Sequence, residues 1–448
     1  MALFGTDGVR GIANKELDAP LAFNLGRVAA YVFAKNNNNS KMKILIGTDT
    51  RISCDMLESA IIAGILSAGS DAYCVGVVPT PCVAYLAKKY NMDAGIMISA
   101  SHNPARDNGI KFFDGKGYKL KDEIEKEIGE IILSGDFDKI PKPIGENIGR
   151  RIILDEALVD YEQFLESQTA SLEGLKVGLD CANGSLSNIA PVVLKNLGAD
   201  VFPIFYEPNG ININDNCGST HMKALQEHVK KNGLDIGIAF DGDGDRCLAV
   251  DEHGNILDGD EIMSICALNM QEKGKLKNNT IVATVMSNLG LKKMCAQHNI
   301  NMLETKVGDR YVLEKMLEEG HNLGGEQSGH IIFLDYATSG DGLLCALQIL
   351  GIMKEKGEAL SLLNTKMKKL PQTMVNAKID NTKKFSFAEN KEIAAAIKTL
   401  EEKYQDNGRI LIRPSGTEAL VRVMIEGDDE NAIAEDAKVL AKLMEETL

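Results

Sequence analysis

The chain is short of positive charge, of long apolar runs and of paired cysteines, and each shortage excludes a class of protein. Lys and Arg number 49 against 64 Asp and Glu, which leaves a net charge of −15. A surface this acidic repels a phosphate backbone and argues against general nucleic-acid binding. No stretch approaches the roughly 18 apolar residues that a membrane-spanning helix needs. The opening Met1-Ala2-Leu3-Phe4-Gly5-Thr6-Asp7 lacks the basic start and apolar stretch of a secretory signal. The nine cysteines are scattered, odd in number and without a Cys-x-x-Cys pair. That pattern suits reduced thiols in a cytosolic enzyme, not a disulfide scaffold or a zinc site. A cytoplasmic protein with no nucleic-acid and no membrane partner is expected.

What is present is ordinary globular material. The 448 residues are 44% apolar and 25% charged, enough for a core in each of about three domains at roughly 100–200 residues per domain. The dominant rhythm is a short apolar run followed by a longer amphipathic stretch. Residues 43–47, 73–78 and 94–99 read as buried strands, with a helix over 54–68 between the first two. The alternation restarts with strands over 175–180, 200–204 and 236–240 and a helix over 191–197. It restarts again near Gly259 with a helix to Met270, a strand over 280–285, then helix, strand and helix, closing on a long helix over 342–356. This predicts three related α/β units with mainly parallel sheets. The tail, with a helix over 387–404, strands over 409–412 and 420–426 and a last helix to Leu448, predicts a smaller α+β domain. The boundaries expected from this reading are 1–150, 151–255, 256–368 and 369–448.

The sharpest local signal is Asp241-Gly242-Asp243-Gly244-Asp245-Arg246, directly after an apolar strand. Carboxylates at alternate positions of an extended loop can point the same way, and such crowding is repulsive unless a hard divalent cation offsets it. Oxygen-only ligands point to Mg²⁺. A solvated acidic turn is the plain alternative. An EF-hand loop fails because Arg246 stands where that loop needs glycine and strands flank it. The haloacid-dehalogenase pattern, a strand ending in Asp-x-Asp whose first aspartate becomes phosphorylated, stays open with Asp241 as nucleophile, although Asp245 departs from it.

The second signal is Ile98-Ser99-Ala100-Ser101-His102-Asn103-Pro104, again after a strand. Its stiff turn can hold a hydroxyl outside the carboxyl end of a strand, where open α/β sheets bind ligands. Taken alone, Ser101 reads equally as a turn-capping residue, and Ser101 and His102 are expected to point apart as loop neighbours. Gly324-Gly325-Glu326-Gln327-Ser328-Gly329-His330 sets polar groups between glycines that permit close backbone approach. Arg413-Pro414-Ser415-Gly416-Thr417-Glu418 offers a guanidinium, two hydroxyls and backbone amides, the parts of a phosphate nest. Arg10 and Lys111 alone read as solvated charges. Together with Arg246, Arg310 and Arg413 they lie in or beside glycine-containing loops, which concentrates cations in an otherwise acidic protein.

In this order, Gly5-Thr6-Asp7-Gly8-Val9-Arg10-Gly11, the Ser-His-Asn-Pro loop, Asp-Gly-Asp-Gly-Asp-Arg, Gly-Glu-Gln-Ser-Gly-His and Arg-Pro-Ser-Gly-Thr-Glu resemble the α-D-phosphohexomutase superfamily over the whole length. The resemblance implies three related α/β domains and a smaller fourth, heart-shaped around a central cleft. It implies that Ser101 is the phosphoserine and shares Mg²⁺ with Asp241, Asp243 and Asp245. Lys111 matches a proton-transfer residue, Arg10 a positive partner of the phosphoserine, and His102 belongs to the same catalytic set. Glu326 and Ser328 match sugar-hydroxyl contacts, with His330, Arg246, Asp309 and Arg310 also at the substrate. Arg413, Ser415, Gly416 and Thr417 match the loop that grips the non-reacting phosphate. Gln327 and Gly308-Asp309-Arg310 depart from the glucose and mannose branches and resemble the amino-sugar branch. The implied reaction interconverts glucosamine 6-phosphate and glucosamine 1-phosphate through a bisphosphorylated sugar that also serves as activator. The implied partners are a small phosphosugar and an activating phosphoryl donor or kinase, in a monomer or dimer. A phosphoglucomutase or phosphomannomutase of the same superfamily is the alternative, as is a non-catalytic phosphosugar-binding protein.

Overall fold

The computed structural model describes residues 3–5, 7–37, 41–405, 407–415 and 419–448. The first sheet is built from β1 (Val9–Ile12), α1 (Ala19–Asn37), β2 (Lys43–Thr48), α2 (Ser53–Ser67), β3 (Asp71–Val77), α3 (Thr80–Lys89), β4 (Ala94–Ile98), β5 (Asp107–Asp114), α4 (Asp122–Ser134), β6 (Arg151–Ile153) and α5 (Ala157–Glu166). Its strand order is β1-β5-β4-β2-β3-β6. Strands β4, β2, β3 and β6 run parallel, and β5 and β1 turn antiparallel at one edge. Helices cover the parallel part, so Ile44, Leu45 and Ile46 are all buried and the strand reads as an unbroken apolar run.

The second sheet follows with β7 (Lys176–Asp180), α6 (Ala190–Asn196), β8 (Asp200–Ile204), α7 (Lys223–Asn232), β9 (Ile236–Phe240), β10 (Cys247–Asp251) and β11 (Ile256–Leu257), in the order β11-β10-β9-β7-β8. The third round comprises α8 (Gly259–Glu272), β12 (Thr280–Thr284), α9 (Leu289–Gln297), β13 (Asn301–Thr305), α10 (Asp309–Glu319), β14 (Leu323–Gly325), β15 (Ile331–Phe333), α11 (Gly342–Lys356) and α12 (Leu360–Leu363). Its sheet order is β13-β12-β14-β15. A capping box, Asp258 with Glu261, starts α8 where the third alternation was expected to begin.

The three sheets share one topology. In each, a parallel trio ends on a strand that pairs antiparallel with its successor: β4 with β5, β9 with β10, β14 with β15. The loops that close these pairs hold Ser101, the aspartate motif and the Glu326–His330 segment. The three rounds do not repeat in sequence because only the pairing scheme is common.

The chain divides into two compact units, Met1–Val285 with Asn301–Thr365, and Met286–Ile300 with Lys366–Leu448. The second unit contains α9, β16 (Gln372–Lys378), α13 (Lys391–Tyr404), β17 (Arg409–Pro414), β18 (Leu420–Glu426) and α14 (Glu430–Thr447). Its sheet, β16-β18-β17, is antiparallel throughout. The segment around α9 joins this unit through Asn288, whose amide donates to the Leu370 carbonyl at 3.0 Å and whose oxygen accepts the Leu370 amide at 3.0 Å. The helix expected over 387–404 starts later, at Lys391. The Asn390 side chain accepts from the Glu392 and Ile393 amides and caps it there, with a separate 3₁₀ turn at Ser386–Ala388 before it. Among the described residues no helix is long and apolar enough to cross a membrane, and all nine cysteines are buried thiols.

Candidate active site

Ser101 sits in the loop after β4 at a φ of +53°, a left-handed conformation rare for a residue with a Cβ. Such strain persists only where the surroundings over-determine it, and here they do. The Ser101 amide donates to Ser99 Oγ at 2.9 Å, and Ser99 Oγ donates to Asp49 Oδ2 at 2.5 Å. The Ser101 carbonyl accepts from Arg51 Nη2 at 3.1 Å and Asn214 Nδ2 at 2.8 Å, and both groups also reach the Asn103 carbonyl. Arg51 is buried and ion-paired with Asp49. The hydroxyl of Ser101, 2% exposed as a residue, donates to Asp241 Oδ2 at 2.6 Å. Ser101 Oγ also lies 3.3 Å from His102 Nδ1. The two neighbours, expected to diverge, meet because the left-handed turn at Ser101 folds the loop back. Burial, with Arg246 and Arg10 beside it, lowers the His102 pKa to about 4, so its ring is neutral at pH 7.

The aspartate loop between β9 and β10 brings Asp241, Asp243 and Asp245 together, each offering an oxygen within 4.8 Å of the others, all three buried. A close approach of backbone makes this work: a Cβ at Gly242 would stand 2.7 Å from the Ser101 carbonyl oxygen. Asp243 Oδ2 accepts from Thr80 Oγ1 at 2.6 Å and from Lys111 Nζ at 2.7 Å. Asp243 Oδ1 and Asp245 Oδ1 are buried without a hydrogen-bond partner among the described residues. Buried acceptors are normally satisfied. Two orphaned carboxylate oxygens in an all-oxygen donor set fit a hard divalent cation and disfavour the solvated-turn reading. Burial and the charges of Asp245 and Asp243 push the Asp241 carboxyl well above its ordinary pKa, the repulsion such a cation offsets.

Lys111, read from sequence as a surface charge, is 2% exposed. It lies on β5, a strand buried on both faces from Asn108 to Phe113, and its ammonium reaches Asp7 Oδ2 at 3.1 Å and Asp245 Oδ2 at 3.8 Å besides Asp243. Burial works against its charge, but Asp243, Asp7 and Asp245 outweigh it and hold Lys111 as an ammonium. Arg10 pairs with Asp7 and remains partly exposed. Arg246 lies 4.0 Å from Asp241 Oδ2 and 3.9 Å from Asp245 Oδ1, with its Nε buried and without a hydrogen bond among the described residues.

The third loop places Glu326 beside the start of α10. Glu326 Oε1 accepts the Gly308 amide at 2.9 Å, and Ser328 Oγ is buried with no hydrogen-bond partner among the described residues. His330 Nδ1 lies 3.5 Å from Asp245 Oδ2, and Nε2 lies 3.5 Å from Asp309 Oδ2. Burial opposes a charged ring, yet the two carboxylates prevail and raise its pKa to about 9. The Gly340 amide nitrogen also lies 3.1 Å from Nε2. Asp309 is engaged by Lys119 Nζ at 2.6 Å. Arg310 pairs with Asp122 and with Glu314 at 3.1 Å, so it does not join this cluster.

In the second unit, Arg413, next to last in β17, stands opposite Arg422 on β18. Ser415 is buried, its amide donates to the Leu420 carbonyl at 2.9 Å, and its carbonyl accepts from Lys384 Nζ at 2.5 Å. Gly416 and Thr417 lie outside the described residues.

Sequence reasoning missed Asp7, Asp49, Arg51, Thr80, Lys119, Asn214 and Lys384. Asp49 and Arg51 carried one usable signal, since they follow the carboxyl end of the buried strand β2, where α/β sheets gather functional groups. Lys119 and Asn214 carried none, because no local pattern marks a partner more than a hundred residues away.

The four domains of the phosphoglucomutase/phosphomannomutase family match in order: domain I over residues 1–139, domain II over 157–254, domain III over 258–370 and the C-terminal domain over 374–443. The chain is 56% identical over 445 residues to the phosphoglucosamine mutase of Clostridium novyi (strain NT), covering 99% of this chain and 98% of that protein. The chain belongs to the phosphoglucomutase/phosphomannomutase family. The phosphoglucosamine mutase of Acetivibrio thermocellus is 55% identical over 447 residues, 100% of this chain and 99% of that one. In fold, the chain matches a family protein from Burkholderia thailandensis with a TM-score of 0.83 at 22% identity, covering 99% and 98% of the two chains. It also matches Aspergillus fumigatus N-acetylphosphoglucosamine mutase in complex with GlcNAc-6P and magnesium, with a TM-score of 0.69 at 18% identity over 99% and 95%. The chain is thus a phosphohexomutase with the four-domain architecture of its family.

Proposed function

We propose that the chain is a phosphoglucosamine mutase that interconverts glucosamine 6-phosphate and glucosamine 1-phosphate for UDP-N-acetylglucosamine and cell-wall synthesis. The observation that carries the chemistry is the Ser101 hydroxyl donating to Asp241, the first of three converging carboxylates. Phosphorylated Ser101 gives its phosphoryl group to the 1-hydroxyl of the sugar: the bond from Oγ to phosphorus breaks as the sugar oxygen bonds to phosphorus. The sugar hydroxyl loses its proton and Oγ gains one. The bisphosphate then turns over and returns its 6-phosphoryl group to Oγ. Lys111, held as an ammonium by Asp243, Asp7 and Asp245, supplies positive charge beside the converging carboxylates, and the proton transfer at Oγ is assigned to it. His102, neutral beside Oγ, leaves the charge balance there to Arg10 and Arg246. Asp241, Asp243, Asp245 and the Ser101 phosphate would hold Mg²⁺, which when bound supplies charge neutralisation at the phosphoryl group. Arg413 and Ser415, with Gly416 and Thr417, are assigned to the non-reacting phosphate, and Arg310 to the substrate side of α10.

The amino sugar is assigned to Glu326. Asp309 already meets Lys119, whereas Glu326 Oε2 makes no hydrogen bond among the described residues and can take an ammonium. The released bisphosphate would serve as activator by re-phosphorylating Ser101, after a first phosphoryl group from a donor or kinase. Nine buried thiols suit a reducing cytoplasm.

Ser101→Ala should lose the acid-stable phosphate seen by intact mass and nearly all mutase turnover. Phosphate at another residue with turnover retained would replace the serine mechanism with the aspartyl-phosphate one. Across the 6-phosphates of glucosamine, N-acetylglucosamine, glucose and mannose, glucosamine 6-phosphate should show the highest kcat/KM. Equal or better turnover of glucose 6-phosphate would overturn the substrate and spare the mechanism.

A further inference from the structure

A closed ring of alternating charges joins all three sheets of the first unit. From Lys111 it runs to Asp7 (3.1 Å), Lys119 (2.6 Å), Asp309 (2.6 Å), His330 (3.5 Å) and Asp245 (3.5 Å) and back to Lys111 (3.8 Å), with Asp243 attached to Lys111 at 2.7 Å. Every member but Lys119 lies in a motif that sequence alone singles out or directly beside one. Lys119 follows β5 with no motif around it, yet it joins Asp7, 112 residues before it, to Asp309, 190 residues after it. Its side chain is 17% exposed, and those of Asp7 and Asp309 are 22% and 21% exposed.

Asp309 is the first residue of α10, and the preceding residue, Gly308, has a φ of +131°. The Gly308 amide is the group that donates to Glu326 Oε1. The place where Lys119 holds Asp309 therefore sets the orientation of the Gly308 peptide, and through it the Glu326 carboxylate. Lys119 also shares Asp309 Oδ2 with His330, so it governs how strongly that carboxylate attracts the ring. Without the ammonium, Asp7 and Asp309 would face each other as two partly enclosed carboxylates and repel, drawing α10 away from the first sheet.

We propose that Lys119 is a positioning residue for the sugar end of the site, acting through Asp309, Gly308 and Glu326 to set recognition of the sugar at its amine and hydroxyl groups. The proposal rests on the reaction assigned above, and its readouts separate the two. A structural staple alone would change stability or the amount of active enzyme, which moves kcat. A positioning role moves KM and the choice between sugars.

The test uses the full chain with Ser101 phosphorylation quantified by intact mass. Lys119→Met should raise KM for glucosamine 6-phosphate at least 10-fold, with kcat within about 3-fold, and shrink its preference over glucose 6-phosphate. Lys119→Arg, which keeps the charge but moves it, should recover KM to within a few-fold. Adding Asp309→Asn to Lys119→Met should cost less than the product of the two single effects, because both break one link. If Lys119→Met does not fold, the double variant carries the test, since it leaves no uncompensated carboxylate at Asp309, and its KM should remain raised. An unchanged KM, a loss confined to kcat, or fully multiplicative single effects would overturn the proposal. Activity surviving Ser101→Ala would instead sink the phosphoserine mechanism and leave the Lys119 comparison readable.

Discussion

Thr80 grips Asp243 at two points: its amide donates to the Asp243 carbonyl at 2.9 Å and its hydroxyl to Asp243 Oδ2 at 2.6 Å. With Lys111 on the same Oδ2, Oδ1 is left without a hydrogen-bond partner among the described residues. The first residue of α3 thus decides which oxygen of the central aspartate is presented to a cation.

Thr80→Val should therefore weaken Mg²⁺ binding by about 10–100-fold, the usual cost of losing a group that orients a ligand. Asp243→Asn should remove most activity while the fold persists. Titration calorimetry with Mg²⁺, and assays before and after exhaustive chelation, check both. Full activity in the chelated enzyme would defeat the metal site.

Arg51 holds the carbonyls of Ser101 and Asn103 and neutralises buried Asp49. Arg51→Met should destabilise the protein by about 3–5 kcal/mol, because it leaves a buried carboxylate unpaired. Urea unfolding measures this. A change below about 1 kcal/mol would show that the serine loop is held by Asn214 and Ser99 alone.

Asp180 ends β7 fully buried, accepting the Ala182 amide at 2.9 Å and the Gly218 amide at 2.8 Å. Burial raises its pKa from 3.8 to about 7, against the pull of those two amides. Its folded pKa is raised, so the folded state holds the proton more tightly than the open chain does. The resulting stability is full below about pH 4 and is lost as pH climbs to about 7. Asp180→Asn should flatten that decline between about pH 4 and pH 7 in urea unfolding. Parallel curves for the two proteins would place the titration elsewhere.

The strands over 43–47 and 236–240 and the helix over 342–356 were legible because each is a local pattern of burial, and local patterns survive in a one-dimensional string. The aspartate spacing was legible for the same reason: three carboxylates on one short loop meet wherever that loop goes. The late start of α13 was less legible, since an asparagine cap competes with an apolar periodicity that runs through it.

By itself the sequence determined the α/β rhythm, the order of the motifs and the oxygen-rich chemistry of residues 241–245. Tertiary structure alone decided that β4 and β5, β9 and β10, and β14 and β15 form equivalent antiparallel pairs, which puts three unlike loops at one topological position. It also decided that Thr80 meets Asp243, that Arg51 meets the Ser101 carbonyl, and that Lys119 joins Asp7 to Asp309. The physical reason is common to all of these. A buried strand is apolar on both faces whatever its neighbour, and a charged side chain looks solvated in sequence until the fold removes the water and supplies a counter-charge in its place.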